Sequence, residues 1–230
     1  MWNIPKIWTD SECWIIGGGP SIIEQFNIPA EVVHKVHMHE VGIDAYSPYL
    51  KDIHNKHVIG VNVAFLLGSW IDVLFFGDNG FFLQNIKEIE KFHNLKVTCN
   101  PRKHNLAWHY ESVKYLRRES IDGISTKKNS ICWNKNSGAA AINLAAHFGV
   151  KRIILVGFDM SLDAADNQHW HKQYTNTANR KQPRKLPFER HLKGFPKIAS
   201  DAKKLGIEII NASPKSAITV FEKKPIKDLL

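Results

Sequence analysis

Ser11-Glu12-Cys13-Trp14-Ile15-Ile16 runs directly into Gly17-Gly18-Gly19-Pro20-Ser21, and Ile22, Ile23 and Phe26 then recur at helical spacing. A short strand, a glycine turn and a helix in that order let backbone N–H groups approach an anion closely, and the helix N-terminus adds a favourable partial charge. The ligand expected there is a phosphate, with Gly17, Gly18, Gly19, Pro20 and Ser21 around it. The turn is not the dinucleotide fingerprint, which needs glycine where Ile22 stands, and no Gly-Lys-Ser/Thr of a P-loop follows. A plain strand-to-helix turn with nothing bound is the alternative reading of the same residues.

Four further polar positions fall just past apolar runs or at the start of a helix, where open parallel sheets collect ligands: Asn62, Asp78, Ser137 and Asp159. Asn62 suits a hydrogen bond to a base or ribose. Asn136-Ser137-Gly138 offers a hydroxyl and amides to phosphate, and Asp78 or Asp159 can hold ribose hydroxyls, a metal or a proton. For each residue alone, a cap or turn role is the competing account. His169-Trp170-His171 places two imidazoles on one side of an extended chain, so His169 and His171, with an acid such as Asp78, form a candidate ligand set for a divalent metal. His191, beside a basic stretch, and His169 are candidate general bases, since an imidazole titrates near neutrality. No Gly-x-Ser-x-Gly, no His-Glu-x-x-His and no convincing carboxylate pair is present, so hydrolase readings have little to rest on.

Positioning these residues requires an α/β sheet. His57-Val58-Ile59-Gly60-Val61-Asn62, Trp70-Ile71-Asp72-Val73-Leu74-Phe75-Phe76 and Arg152-Ile153-Ile154-Leu155-Val156-Gly157-Phe158-Asp159 are the short apolar runs of buried parallel strands. Leu95–Cys99 is a weaker strand candidate, and a helix is expected around Tyr110–Arg118. The small-residue run Ser137–Phe148 reads as a helix closed by Gly149. A second helix is expected from about Glu189 to Leu205, ended by Gly206, with Ile207–Asn211 as the last strand. Between strand and helix lies a polar insert, 161–190, expected to form a flexible basic lid. It carries Arg180, Lys181, Arg184, Lys185 and Arg190, with Lys193 and Lys197 just beyond.

The chain has 230 residues, 43% hydrophobic and 23% charged, which fits a single domain without internal repeats. No run of about 18 apolar residues and no signal-peptide pattern is seen. Cys13, Cys99 and Cys132 lack any Cys-x-x-Cys spacing, so neither a disulfide framework nor a zinc ribbon is suggested and a cytoplasmic setting is expected. The formal charge of +9 points to an anionic partner: nucleotide, nucleic acid or membrane surface.

Ile15-Ile16-Gly17-Gly18-Gly19-Pro20-Ser21-Ile22, Val61-Asn62, Asn136-Ser137-Gly138 and Ile153–Asp159 together resemble the small single-domain bacterial sialyltransferases that use CMP-sialic acid. The resemblance covers most of the chain as short islands in the same order. It implies that the glycine loop contacts a nucleotide and that the base is a histidine early in a late helix, here His191. Gly18 replaces that family's loop Asn, and Gly77-Asp78 stands where it has an Asn. The islands also resemble a broader set of proteins, many phage-encoded, that share the Gly-Gly-Gly-Pro-Ser loop, the His-Trp-His insert and an ending like Asn211-Ala212-Ser213-Pro214-Lys215-Ser216. These are related in turn to archaeal 6-hydroxymethylpterin pyrophosphokinases, and Asp78 with the His-Trp-His element would suit a metal-assisted diphosphate site.

The expectation is thus one α/β domain, 1–230, with a Rossmann-like parallel sheet, helices on both faces and a basic flap. Its expected activity is group transfer from an activated nucleotide, first of all a glycosyl group from a nucleotide sugar. The Gly17–Ser21 loop and Ser137-Gly138 would hold the phosphate, Asn62 the nucleoside, and His191 or His169 would deprotonate an acceptor hydroxyl of a glycan or nucleic acid. An ATP-dependent pyrophosphokinase and a non-enzymatic nucleotide- or nucleic-acid-binding protein stay open as alternatives, as does a weakly held homo-oligomer.

Overall fold

A computed structural model describes residues 1–100, 109–174 and 186–230. Its centre is an eight-stranded sheet, every pairing of which is parallel, in the order β10-β9-β8-β1-β2-β3-β4-β5. The strands are β1 (Glu12–Ile16), β2 (His57–Val61), β3 (Val73–Phe76), β4 (Leu95–Thr98), β5 (Val113–Tyr115), β8 (Arg152–Val156), β9 (Glu208–Asn211) and β10 (Glu222–Lys223). A separate parallel pair joins β6 (Arg117–Glu119) to β7 (Ser130–Cys132). The chain is an α/β domain of Rossmann-like architecture, as its apolar runs imply.

Alternation along the strands divides the core in two. Cys13, Ile15, Ile59, Phe75, Ile153 and Leu155 point to one face, where α5 (Ser137–Phe148) and α7 (Phe195–Leu205) pack. Trp14, Ile16, Val58, Leu74, Phe76, Ile154 and Val156 point to the other. That face is covered by α1 (Ser21–Gln25), α2 (Ala30–His37), α3 (Asn79–Gln84), α4 (Ile86–Lys91) and the 3-10 segments Ile43–Ile53 and Asn62–Leu67. Both faces of the central strands are buried, which is why those strands read as unbroken apolar runs. Helix α5 ends at Gly149 with φ 92°, the left-handed closure anticipated for a glycine there.

Three expectations need correction. The span expected as a helix around Tyr110–Arg118 forms β5 and β6 instead. Val113 is buried and Lys114 exposed in β5, which pairs with β4 at the edge of the sheet. The late helix is broken: α6 (Phe188–Leu192) stops, and α7 restarts after Gly194 with Pro196 in its first turn. Proline there is preset for a helix start and donates no hydrogen bond backward, so it divides the run. Finally, β9 is not the last strand, because β10 pairs with it, Glu222 facing Ile210.

The three cysteines are buried and unpaired. Among the described residues no helix is long and apolar enough to cross a membrane. Arg180, Lys181, Arg184 and Lys185 lie outside the described residues, as does the middle of the expected 161–190 lid.

Candidate functional site

From β1 the chain steps through β2, β3, β4 and β5 on one side, while β8, on the other side of β1, leads on to β9 and β10. The connections leaving the carboxyl ends of β1 and β8 therefore diverge, and a crevice opens between them. A cavity of about 500 Å³ lies there, with walls supplied by Gly17, Gly18 and Gly19 after β1, Asn62 after β2, Asp78 after β3, and Gly157, Phe158 and Asp159 after β8. Asn136, Ser137 and Gly138 at the start of α5 complete the base, and His169, His171, Arg190 and His191 line it from the later segments. The strand ends it spans are about 14 Å across at a strand spacing of about 4.8 Å. The candidate catalytic, metal and nucleotide-binding residues all line this cavity, apart from Pro20 and Ser21.

The glycine loop is built differently from a phosphate cradle. Gly17 N donates to Val156 O at 2.8 Å and Gly19 N to Gly157 O at 2.8 Å, so these amides tie β1 to β8. Ser21 N donates to Asp159 Oδ2 at 3.3 Å, and Ser21 Oγ lies 2.8 Å from Ser213 Oγ. The place at the start of α1 where an anion was expected thus holds the protein's own carboxylate. A Cβ on residue 19 would sit 1.8 Å from that oxygen, so glycine is what admits Asp159 there. Burial pushes the Asp159 carboxyl above its ordinary range, against the lowering effect of hydrogen bonds from Ser21 and Ser213. Gly17, Gly19 and Asp159 thus line the cavity while also making these internal bonds.

Internal bonds are also made at the start of α5. Asn136 caps this helix, its Oδ1 accepting from Gly138 N at 2.8 Å and from Ala139 N at 3.3 Å. The Gly138 amide is therefore engaged by Asn136 rather than held open for a phosphate. Asn211-Ala212-Ser213-Pro214-Lys215-Ser216 proves to be a brace for the end of β8. Asn211 Nδ2 and Ser216 Oγ donate to Phe158 O at 3.2 and 2.6 Å, and Ala217 N donates to Asp159 O at 2.8 Å.

Asn62 is the most exposed to functional interpretation. It adopts a left-handed backbone, φ 52°, immediately after β2, and its Oδ1 is buried with no hydrogen-bond partner among the described residues. A buried acceptor left unsatisfied costs about 1–3 kcal/mol, and at a cavity wall a ligand donor is its natural complement. Lys135 and Met160, also on the wall, have φ 54° and 51°. Strained backbone thus gathers around the cavity, as it does at functional sites.

Asp78 begins α3 without capping it. Its carboxyl is raised by desolvation, with the charges of Arg118 and Arg190 pulling it down. Lys135 and Arg190 are the Lys and Arg side chains on the described wall. Arg190 Nη2 donates to His191 Nε2 at 3.3 Å, so the imidazole proposed as a base accepts a guanidinium hydrogen bond at that nitrogen.

His169-Trp170-His171 folds onto the glycine loop. Trp170 is fully buried, and its Nε1 donates to Gly17 O at 2.8 Å. The His169 and His171 rings stack in parallel, 5.3 Å apart at 9°. Each Nδ1 is engaged, that of His169 with Gly18 O at 3.2 Å and that of His171 with Gln173 N at 3.3 Å. Among the described residues no three His, Cys, Asp or Glu side chains come together as metal ligands. The expected set of His169, His171 and Asp78 is not assembled, and parallel stacked rings do not aim their in-plane lone pairs at one point.

Sequence reading missed Trp133, Lys135 and Phe188 on the wall, and Arg118 behind it. A signal existed for the first two. Trp133-Asn134-Lys135-Asn136 sits just before the alanine-rich helix, and asparagine tolerates the left-handed turn seen at Asn134, φ 52°.

No protein-family model matches the chain, and no curated protein matches it. Among solved structures, the MAf glycosyltransferase from Magnetospirillum magneticum AMB-1 is similar over 100% of this chain, with a TM-score of 0.57 and 13% identity. This chain spans 36% of that protein's length. Sialyltransferase CstII from Campylobacter jejuni, solved with cytidine-5'-monophosphate, aligns over 94% of this chain and 85% of its own, with a TM-score of 0.48 and 13% identity. CstII with CMP-3FNeuAc aligns over 93% and 85%, with a TM-score of 0.47 and 13% identity. What the chain shares with the MAf glycosyltransferase is its fold.

Proposed function

We propose that the chain is a transferase that takes a group, foremost a glycosyl group, from a nucleotide donor bound in the cavity between β1 and β8. The observation that carries this reading is Asn62, whose buried, unpartnered Oδ1 stands on the wall of a cavity at the switch point of a parallel sheet. That oxygen accepts a hydrogen bond from the nucleoside. The donor's phosphate is met by Lys135 and Arg190, since the loop amides at Gly17 and Gly19 are already bonded. Trp133, Phe158 and Phe188 supply apolar wall for a base or sugar ring. Two cations stabilising the departing phosphate perform the main electrostatic task of such a transfer. The shared fold with a glycosyltransferase agrees with this reading, as does the motif resemblance to sialyltransferases.

Calorimetric titration with CMP, CDP, UDP, GDP and ATP, each with and without Mg²⁺, tests it. Saturable binding of one nucleoside phosphate, weakened in N62G, is expected. Selective Mg-ATP binding would favour diphosphate transfer instead, and no binding at all would refute a nucleotide donor.

A further inference from the structure

Helix α5 is entered through a turn of unusual backbone. Asn136 N donates to Trp133 O at 3.2 Å, and the two residues between, Asn134 and Lys135, both have left-handed backbones, φ 52° and 54°. Two consecutive positive φ angles inside an i to i+3 bond define a type I′ turn, for which Asn-Gly is the favoured pair. Lysine stands here where glycine would fit without strain, because its Cβ crowds the backbone in that conformation. The fold holds the other three residues of the turn by their side chains. Trp133 lies under the Arg118 guanidinium, and Asn136 Oδ1 caps α5. Asn134 is buried, its Oδ1 accepting from Gly123 N at 2.6 Å and its Nδ2 donating to Gly123 O at 3.0 Å and Cys132 O at 3.1 Å. Gly194, just before α7, closes over it, and a Cβ there would come within 2.8 Å of Asn134 Cβ. Of the four turn residues Lys135 alone is exposed, on the cavity wall, with no hydrogen bond or ion pair among the described residues.

We infer that this turn is a positioning device for the donor phosphate: position 135 keeps a strained lysine because the site needs its ammonium there, and Asn134 is the positioning residue that holds it. The inference rests on the nucleotide-donor reading above. Strain that the surrounding fold enforces is retained where it serves a site, and here the bonds that enforce it are made by the neighbours of Lys135 rather than by its own side chain. An ammonium carried on a fixed backbone needs less ordering to meet phosphate oxygens than one on a loose loop, so more of the charge-assisted bond appears as affinity. Lys135 therefore recognises the phosphate and leaves the nucleoside to Asn62.

Stability and binding should move in opposite directions when the lysine is replaced. Lys135→Gly relieves the strain and removes the cation, so its melting temperature is expected to rise by about 2–4 °C while nucleotide affinity falls about 10- to 100-fold. Lys135→Ala removes the cation but keeps the Cβ, so the same affinity is lost with the melting temperature within about 2 °C of the wild type. Lys135→Arg, which restores the charge, is expected to recover most of the affinity. Asn134→Gly keeps the left-handed backbone and the lysine but deletes the bonds to Gly123, and nucleotide affinity is expected to fall about 3- to 10-fold. Calorimetric titrations of the full chain with CMP, UDP, GDP and ATP, each beside its own nucleoside, separate the phosphate from the rest of the ligand, and nucleoside affinity is expected to hold in every variant. An Asn134→Gly protein that melts lower with the wild-type ratio of nucleotide to nucleoside affinity would reduce Asn134 to a structural residue and overturn its positioning role. A Lys135→Gly protein that melts below the wild type overturns the strain. Wild-type nucleotide binding that Lys135→Gly and Lys135→Ala both retain overturns the turn's phosphate role alone, whereas a wild type that binds no nucleotide overturns the donor reading and this inference with it.

Discussion

The guanidinium of Arg118 sits over the ring of Trp133, its central carbon 3.7 Å from the ring centroid. The same group donates from Nε to Cys99 O at 2.8 Å and from Nη2 to Gly77 O. One side chain thereby ties the residues following β3 and β4 to the turn that precedes α5, and fixes a wall of the cavity from behind.

Substituting Arg118 by Lys keeps the charge but loses the planar stack and the forked pair of bonds. The expected cost is about 1–3 kcal/mol, seen as a fall in melting temperature of about 2–12 °C. An unchanged melting curve for R118K would show that the staple is ornamental.

Asn62→Gly retains the left-handed backbone, which glycine adopts readily, and deletes only the amide. Stability is expected to stay within about 1 kcal/mol, since an unsatisfied buried acceptor disappears with the side chain. Nucleotide affinity should fall about 3- to 10-fold, the worth of one hydrogen bond. Calorimetry on N62G beside the wild type decides it, and equal affinities would remove Asn62 from the site.

Arg190→Ala takes away one of the two cations proposed to meet the phosphate and leaves Lys135. A charge-assisted bond is worth about 1.5–3 kcal/mol, so nucleotide affinity is expected to drop about 10- to 100-fold. The salt dependence of binding should flatten with it. If R190A binds as tightly as the wild type at low and high salt, the phosphate lies elsewhere.

Two histidines are pushed down by burial, His171 strongly and His147 less so. Unfolded, both titrate near about 6.5, so between that value and their depressed folded pKa the unfolded chain binds more protons. Their contribution to stability is therefore present above about pH 6.5 and is lost as the pH falls, by at most about 1.4 kcal/mol per pH unit for each histidine. Melting temperatures measured downward from pH 7 should decline, and less steeply in H171Q. A wild-type curve that rises on acidification would contradict the buried, neutral state of His171.

The strands β1, β2, β3 and β8 were legible because a strand buried on both faces is a short unbroken apolar run, and α5 was legible from its small residues and closing glycine. The β5–β6 region was not: Val113-Lys114-Tyr115-Leu116-Arg117-Arg118-Glu119 mixes charge and apolar residues in a way that serves a sheet edge as well as a helix. The break before α7 did carry a signal, since Gly194-Phe195-Pro196 places proline where a helix begins. Most candidate site residues reached one cavity because the ends of parallel strands converge there. What their amides do was not legible. Whether Gly19 N faces a ligand or Gly157 O depends on a turn far along the chain, and so does the carboxylate that reaches Ser21 N from 138 residues away.

The β1–β8 pairing sets an order of events during synthesis. Glu12 takes its register from Arg152, 140 residues later, so β1 waits with one edge bare while β2, β3 and β4 accumulate on its other side. Until β8 emerges and docks, neither the Gly17 and Gly19 anchors nor the Asp159 carboxylate has its partner, and the crevice does not exist. Closing so long a loop is slow rather than prohibitive, because its entropic cost grows only logarithmically with length. A nascent chain halted before Val156 is a half-sheet with an open apolar edge, prone to pairing with a second copy of itself and without the crevice. The crevice therefore forms in a single late step, together with protection of that edge.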